Sequence, residues 1–146
     1  MLKIVIIERE PFTLLGIKTA IEQSPDIEVS ASATCGEIGF KLVEETKPDV
    51  VVIDLLLPDM SGLELTRLIK NQTNSKVVIL TNQTDEKIVN FAFSYGADSY
   101  LLKTTEIEVV YLAIKRAYFN ESFLDPNLTI KEMVDIKSSI TGNCKH

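Results

Sequence analysis

The chain has 146 residues, the usual size of one domain, with 45% hydrophobic and 25% charged residues, as in soluble globular proteins. Lys and Arg number 15 against 21 Asp and Glu, a formal charge of -6, which argues against a whole-surface nucleic-acid binder or a basic membrane-surface protein. Two cysteines, Cys35 and Cys144, and one histidine, His146, exclude a four-ligand Cys/His zinc site and read as reduced thiols. No stretch approaches the roughly 18 apolar residues of a membrane span, and the N-terminal apolar run is too short for a signal peptide. A cytoplasmic chain with no membrane partner is expected.

Short apolar runs alternate with longer amphipathic stretches. Ile4-Val5-Ile6-Ile7 reads as a strand covered on both faces. Residues 12 to 23 form a helix with Pro11 in its first turn and Phe12, Leu15, Ile17 and Ile21 as its apolar positions. Ile27, Val29, Ala31 and Ala33 alternate with polar residues as a half-buried or edge strand. A helix carrying Ile38, Leu42 and Val43 ends at Lys47-Pro48. Val50 to Ile53 is the most buried-looking strand, and Asp54 ends it. Gly62 to Ile69 is a helix with Leu65, Leu68 and Ile69 inward, and Val77 to Leu80 is a buried strand ending at Thr81. A helix over about 85 to 94 presents Ile88, Val89, Ala92 and Phe93. Ser99 to Lys103 is a fifth strand, and a helix from about 105 to 119 presents Ile107, Val110, Ile114 and Ala117.

This alternation predicts a parallel α/β sheet with five helices on its two faces. Ligands of such sheets bind beyond the carboxyl ends of the strands, which directs attention to Glu8, Arg9, Asp54, Thr81 and Lys103. A carboxylate ending a buried strand is costly unless compensated. Asp54 is open to three readings: a helix cap, a metal ligand or a phospho-acceptor, the last two needing a second acid and a cation nearby. Glu8 and Lys103 stand at strand ends that could supply them.

The segment Asp54-Leu55-Leu56-Leu57-Pro58-Asp59-Met60-Ser61-Gly62 resembles the phosphorylation loop of two-component response regulator receiver domains, with Pro four and Gly eight residues after the Asp. Thr81 at the end of the fourth strand, and Gly96-Ala97-Asp98-Ser99-Tyr100-Leu101-Leu102-Lys103, resemble further segments of the same family. The resemblance covers residues 2 to about 120 and is closest to receivers that precede a helix-turn-helix output domain. It implies a doubly wound, five-stranded CheY-like sheet of order 2-1-3-4-5, with a receiver over 1–120 and a tail or truncated linker over 121–146. It further implies that Asp54 accepts a phosphoryl group from a histidine kinase, a phosphotransfer protein or a small phosphodonor. Thr81 and Lys103 would contact the phosphoryl oxygens, and Tyr100 would be a switch residue moving with Thr81. Mg²⁺ would be held by Glu8, Asp54 and the backbone carbonyl of Leu56.

One position departs from the pattern. The first strand of the family ends in two acids, where this chain has Glu8 followed by Arg9. Glu8, Arg9, Asp54 and Lys103 sum to no net charge, so weak Mg²⁺ binding is expected, with Arg9 able to pair with Asp54 in place of the metal; the alternative is that Arg9 points to solvent and Glu8 alone suffices. Glu10 should turn away by alternation. The role expected is a signalling switch and not an enzyme. The alternative is a pseudo-receiver, a phosphorylation-independent interaction or dimerisation module of a transcriptional regulator. Its contact face would be the fourth helix, fifth strand and fifth helix, with Lys87, Tyr95, Tyr100, Tyr111 and Tyr118 as candidates.

A flavin protein would need a Ser/Thr/Gly-rich loop where Glu8-Arg9-Glu10-Pro11-Phe12 stands, and an aspartate-dependent phosphatase would need an acid in place of Leu56. Residues after 120 are too few for a linker and a three-helix DNA reader, so either a truncated chain or a stand-alone receiver is expected, with no direct nucleic-acid contact by this segment. Residues 129–136 are a candidate short helix.

Overall fold

The computed structural model describes residues 1–128; the candidate helix at 129–136, Cys144 and His146 lie outside the described residues. The elements in chain order are β1 (Leu2–Ile7), α1 (Pro11–Ile21), β2 (Ile27–Ala33), α2 (Gly36–Thr46), β3 (Val50–Ile53), α3 (Gly62–Gln72), β4 (Lys76–Thr81), α4 (Glu86–Ser94), β5 (Ser99–Leu102), α5 (Ile107–Tyr118) and β6 (Phe123–Leu124). All strand pairs are parallel, and the sheet order is β2-β1-β3-β4-β5-β6. The expected order 2-1-3-4-5 is present with a sixth strand added at the β5 edge. The sheet therefore runs past residue 120, into the segment read as a tail.

The strands alternate their side chains between two apolar layers. Val5, Ile7, Val51, Ile53, Val77, Ile79 and Tyr100 face Val43 of α2, Leu65 and Ile69 of α3, and Val89, Ala92 and Phe93 of α4. Ile4, Ile6, Val50, Val52, Val78, Leu80 and Leu101 face Ile21 of α1 and Val110, Ala113, Ile114 and Ala117 of α5. Both faces of β1, β3 and β4 are thus covered, which is why these strands read as unbroken apolar runs.

Two expectations are corrected here. Strict alternation along β2 fails, because the register to β1 shifts between Ile4 and Val5, so that Val5 pairs with Ala31. The extra residue flips the faces: Ile27 and Val29 pack with the α1/α5 layer and Ala31 with the other. In α1, Phe12 is 83% and Leu15 58% exposed, while Ile21 is buried and Leu14 and Ile17 pack partly. Ile38 of α2 is likewise exposed.

Helix starts are fixed by carboxylates and hydroxyls. Glu10, Ser61 and Asp85 cap α1, α3 and α4 by accepting from Thr13, Leu63 and Lys87 N–H groups. The N-cap of α2, Cys35, makes no such bond. Asp59 of the β3–α3 loop does it instead, its two oxygens accepting from Gly36 and Glu37 N–H at 2.8 and 2.9 Å. These bonds hold the Asp59 carboxyl below its usual range.

Candidate functional site

The carboxyl ends of β1, β3, β4 and β5 bring Glu8, Asp54, Thr81 and Lys103 together. Each follows or ends a strand anchored on both faces, so the chain has no freedom to withdraw them. Main-chain bonds tie the ends laterally: Asp54 N–H donates to Ile7 O at 3.0 Å, and Lys103 N–H to Thr81 O at 2.9 Å. Glu8 and Asp54 are buried at 2% and 7% exposure, and Thr81 is buried.

The Lys103 ammonium lies between the two acids, 2.6 Å from Glu8 Oε1 and 2.7 Å from Asp54 Oδ2. The other Glu8 oxygen accepts Glu10 N–H at 2.9 Å, and Asp54 Oδ1 accepts Leu56 N–H at 3.3 Å. Burial pushes the Asp54 carboxyl up, but hydrogen bonds from Lys103 and Thr81 and the Lys103 charge outweigh it, so its pKa lies below the usual value. Lys103 behaves in the opposite sense: burial lowers its ammonium, and the bonds and charges of Asp54 and Glu8 more than restore it, leaving the pKa raised. Asp54 is ionised at neutral pH, with an unprotonated oxygen available as a nucleophile.

The β3–α3 loop that follows is short and tightly closed. Leu56 forms a bridge with Ser61, and Gly62 N–H donates to Leu55 O at 2.9 Å. A Cβ at Gly62 would stand 2.5 Å from Asp54 O and 2.6 Å from Leu55 Cα, so the start of α3 can approach Asp54 only without a side chain.

Arg9 is exposed and makes no ion pair among the described residues. The expected pair with Asp54 is absent; Lys103 holds that carboxylate. The reason is parity at the end of β1, which turns Glu8 inward and the next residue out, and a guanidinium is costly to bury. Excluding Arg9, the buried trio carries one net negative charge, not the zero counted from sequence. Glu10 turns away as expected and caps α1.

The donors do not fit a resident divalent cation. Lys103 and the main chain engage both Glu8 oxygens and both Asp54 oxygens, and no cluster of three His, Cys, Asp or Glu able to hold a metal occurs among the described residues. The ligand set expected from Glu8, Asp54 and the Leu56 carbonyl would require Lys103 to give way.

Tyr100, expected as a switch residue and a candidate for the contact face, is fully buried; its hydroxyl donates to Gln83 O at 2.8 Å. Burial, with the charges of Asp54 and Asp85, pushes the phenol pKa up and keeps it a donor. Tyr111 also departs from the expected contact face, donating to Ala20 O of α1 at 2.8 Å. Lys87 is exposed, Tyr118 is 44% exposed, and half-buried Tyr95 lies under the Arg67 guanidinium at 4.5 Å.

The family model for the response regulator receiver domain matches residues 4–115, most of the chain. The chain belongs to the response regulator receiver domain family. Among relatives, this receiver is 33% identical to the response regulator protein VraR of Staphylococcus saprophyticus over 131 residues, covering 89% of this chain and 63% of that protein. The VraR protein of Staphylococcus aureus is 32% identical over the same coverage. The receiver thus spans less than two thirds of the curated relatives it matches. Among solved structures, a LuxR-family DNA-binding response regulator from Staphylococcus aureus superposes with a TM-score of 0.76 at 29% identity, covering 81% of this chain and 99% of that one. A LuxR-family two-component response regulator from Aurantimonas superposes at 0.80 with 24% identity, covering 95% and 96%, and shares the fold. No helix among the described residues is long and apolar enough to cross a membrane.

Two residues that tie elements together near the site escaped the sequence reading. Asp59, which ties the acceptor loop to α2, gives no local signal because its partners lie 22 and 23 residues away. Asp125 is fully buried against β5; the Asp-Pro-Asn turn signal marked its neighbourhood without revealing its partner.

Proposed function

We propose that this receiver accepts a phosphoryl group on Asp54 from a histidine kinase or phosphotransfer protein, in the cytoplasm. An Asp54 carboxylate oxygen attacks phosphorus, the N–P bond of the donor's phosphohistidine breaks, and its electron pair stays on the imidazole nitrogen. Thr81 donates a hydrogen bond to one phosphoryl oxygen, and Lys103 moves from the carboxylates to pair with another. The new charge at a strand end is the signal. The observation that carries this reading is the buried, ionised Asp54 paired at 2.7 Å with Lys103 beside Thr81.

Mg²⁺ binds weakly in this account, because one carboxylate of the family's acidic pair is replaced by Arg9 and Lys103 already engages both remaining acids. Beryllofluoride, a phosphoryl mimic, tests the site. Its addition with Mg²⁺ should shift the amide resonances of Asp54, Thr81 and Lys103 in the wild type and leave Asp54→Asn unchanged. Identical spectra with and without beryllofluoride at every Mg²⁺ concentration would overturn the acceptor assignment.

The second reading, a phosphorylation-independent interaction or dimerisation module, is favoured by one observation: Lys103 bridges Glu8 and Asp54 and holds the acceptor carboxylate in an ion pair without any ligand. On that reading beryllofluoride has no effect and Asp54→Asn retains full partner binding.

A further inference from the structure

Residues 121–128 fold back along β5, with Phe123 packed partly against the α1/α5 layer, Leu124 and Leu128 against the other, and Glu121 3.9 Å from Arg116. Phe123 N–H donates to Asp98 O at 3.1 Å, and Asp125 N–H to Tyr100 O at 2.8 Å. Asp125 is fully buried, yet it has no ion pair among the described residues. Main-chain N–H groups compensate its charge instead: Leu102 N–H at 2.9 Å on one oxygen and Asn127 N–H at 2.8 Å on the other. The Arg116 guanidinium lies 5.4 Å from the Phe123 ring. A plain cover for a sheet edge would be apolar; a carboxylate held by two N–H groups is stable only while both donors stay in place.

One of those donors belongs to the residue next to Lys103. The Lys103 side chain is held by Glu8 and Asp54 and its N–H by Thr81 O, so the end of β5 is clamped from the phospho-acceptor site. A two-residue strand has little stability of its own and sits at the low end of local opening energies. We infer that residues 121–128 are a releasable latch on β5, docked while Lys103 is paired with Asp54 and Glu8 and released when Lys103 is drawn to a phosphoryl group on Asp54. Release exposes Tyr100 O and Leu102 N–H on the edge of β5, a template for strand addition. The coupling rests on Asp54 being the acceptor; the docking does not.

Amide hydrogen exchange on the full chain tests both parts. Asp125→Ala should exchange roughly tenfold faster at residues 99–102 and 121–128, with residues 4–7 and 50–53 as protected as in the wild type. If Asp125→Ala loses core protection, Asp125→Asn, which keeps one acceptor oxygen, should show the same local pattern to a smaller degree. Equal exchange in the wild type and both variants would overturn the latch. The wild type is then treated with acetyl phosphate, with intact mass reporting modification. Modification with faster exchange at 99–102 and 121–128 supports the coupling; modification with unchanged exchange overturns it and leaves Asp54 as acceptor. Absence of modification overturns the acceptor, and Lys103→Gln then decides the link. Faster exchange at the latch in that variant supports a mechanical tie from Lys103 to β6, and unchanged exchange overturns it.

Discussion

Replacing Lys103 by Met removes the cation from between two buried carboxylates while keeping most of the side-chain volume. Glu8 and Asp54 each lie within 2.7 Å of the one ammonium nitrogen, so the variant leaves two acids facing each other at 2% and 7% exposure. Breaking a fully buried ion pair costs about 3–5 kcal/mol; the Lys103 side chain is 17% exposed, and water reaches the cluster, so we expect about 2–3 kcal/mol. For a domain of this size that lowers Tm by roughly 5–10 °C. The pH dependence carries a sharper signature. In the wild type the lowered Asp54 pKa contributes stability that is present above its unfolded value of 3.8 and lost as pH falls through the folded value. The raised Lys103 pKa contributes stability that is full below 10.5 and lost as pH rises through its folded value. Between pH 7 and pH 5 the site is therefore silent in the wild type. In Lys103→Met the uncompensated carboxylates hold a proton more tightly when folded, so stability rises on acidification across that window. Urea denaturation at pH 7 and pH 5 reads both effects. A loss below about 0.5 kcal/mol, with the same pH response as the wild type, would refute the ion-pair reasoning.

Asp59→Ala should cost about 1 kcal/mol, the usual value of a helix cap, and should raise exchange at Gly36 and Glu37 before the rest of α2; unaltered protection there would remove Asp59 from the capping role. Gly62→Ala forces a Cβ to 2.5 Å from Asp54 O and should cost about 1–3 kcal/mol in urea denaturation, and a variant as stable as wild type would mean the loop can yield. Arg9→Asp restores a second acid beside Glu8 and should tighten Mg²⁺ binding about tenfold or more by calorimetric titration, equivalent to about 1.4 kcal/mol. Unchanged affinity would show that Arg9 plays no part in weakening the site.

The central strands were legible because residues buried on two faces leave no alternation to misread: Val50–Ile53 and Ile4–Ile7 stand out as unbroken β-branched runs. Their carboxyl ends then located Glu8, Asp54, Thr81 and Lys103 without any knowledge of contacts. Where sequence reading failed, the cause was tertiary. Arg9 was expected to pair with Asp54 in place of the metal, but strand parity sends it to solvent while Lys103, 49 positions away from Asp54, takes the carboxylate. The buried position of Tyr100 was not legible because its hydroxyl partner, the Gln83 carbonyl, belongs to a loop that shows no motif. Strand β6 has two residues, too few for any periodicity, and its buried acid, Asp125, reads locally as a turn former. In β2 one bulged residue moved Ala31 to the opposite layer, a shift that no hydropathy pattern records.

The phosphoryl-accepting role of Asp54 is tested most directly by intact mass spectrometry after incubation with acetyl phosphate and Mg²⁺, run beside Asp54→Asn. The account predicts one added phosphoryl group in the wild type, none in Asp54→Asn, and a larger modified fraction in Arg9→Asp. A wild type that stays unmodified at saturating donor and Mg²⁺, or that is modified to the same extent as Asp54→Asn, would contradict it.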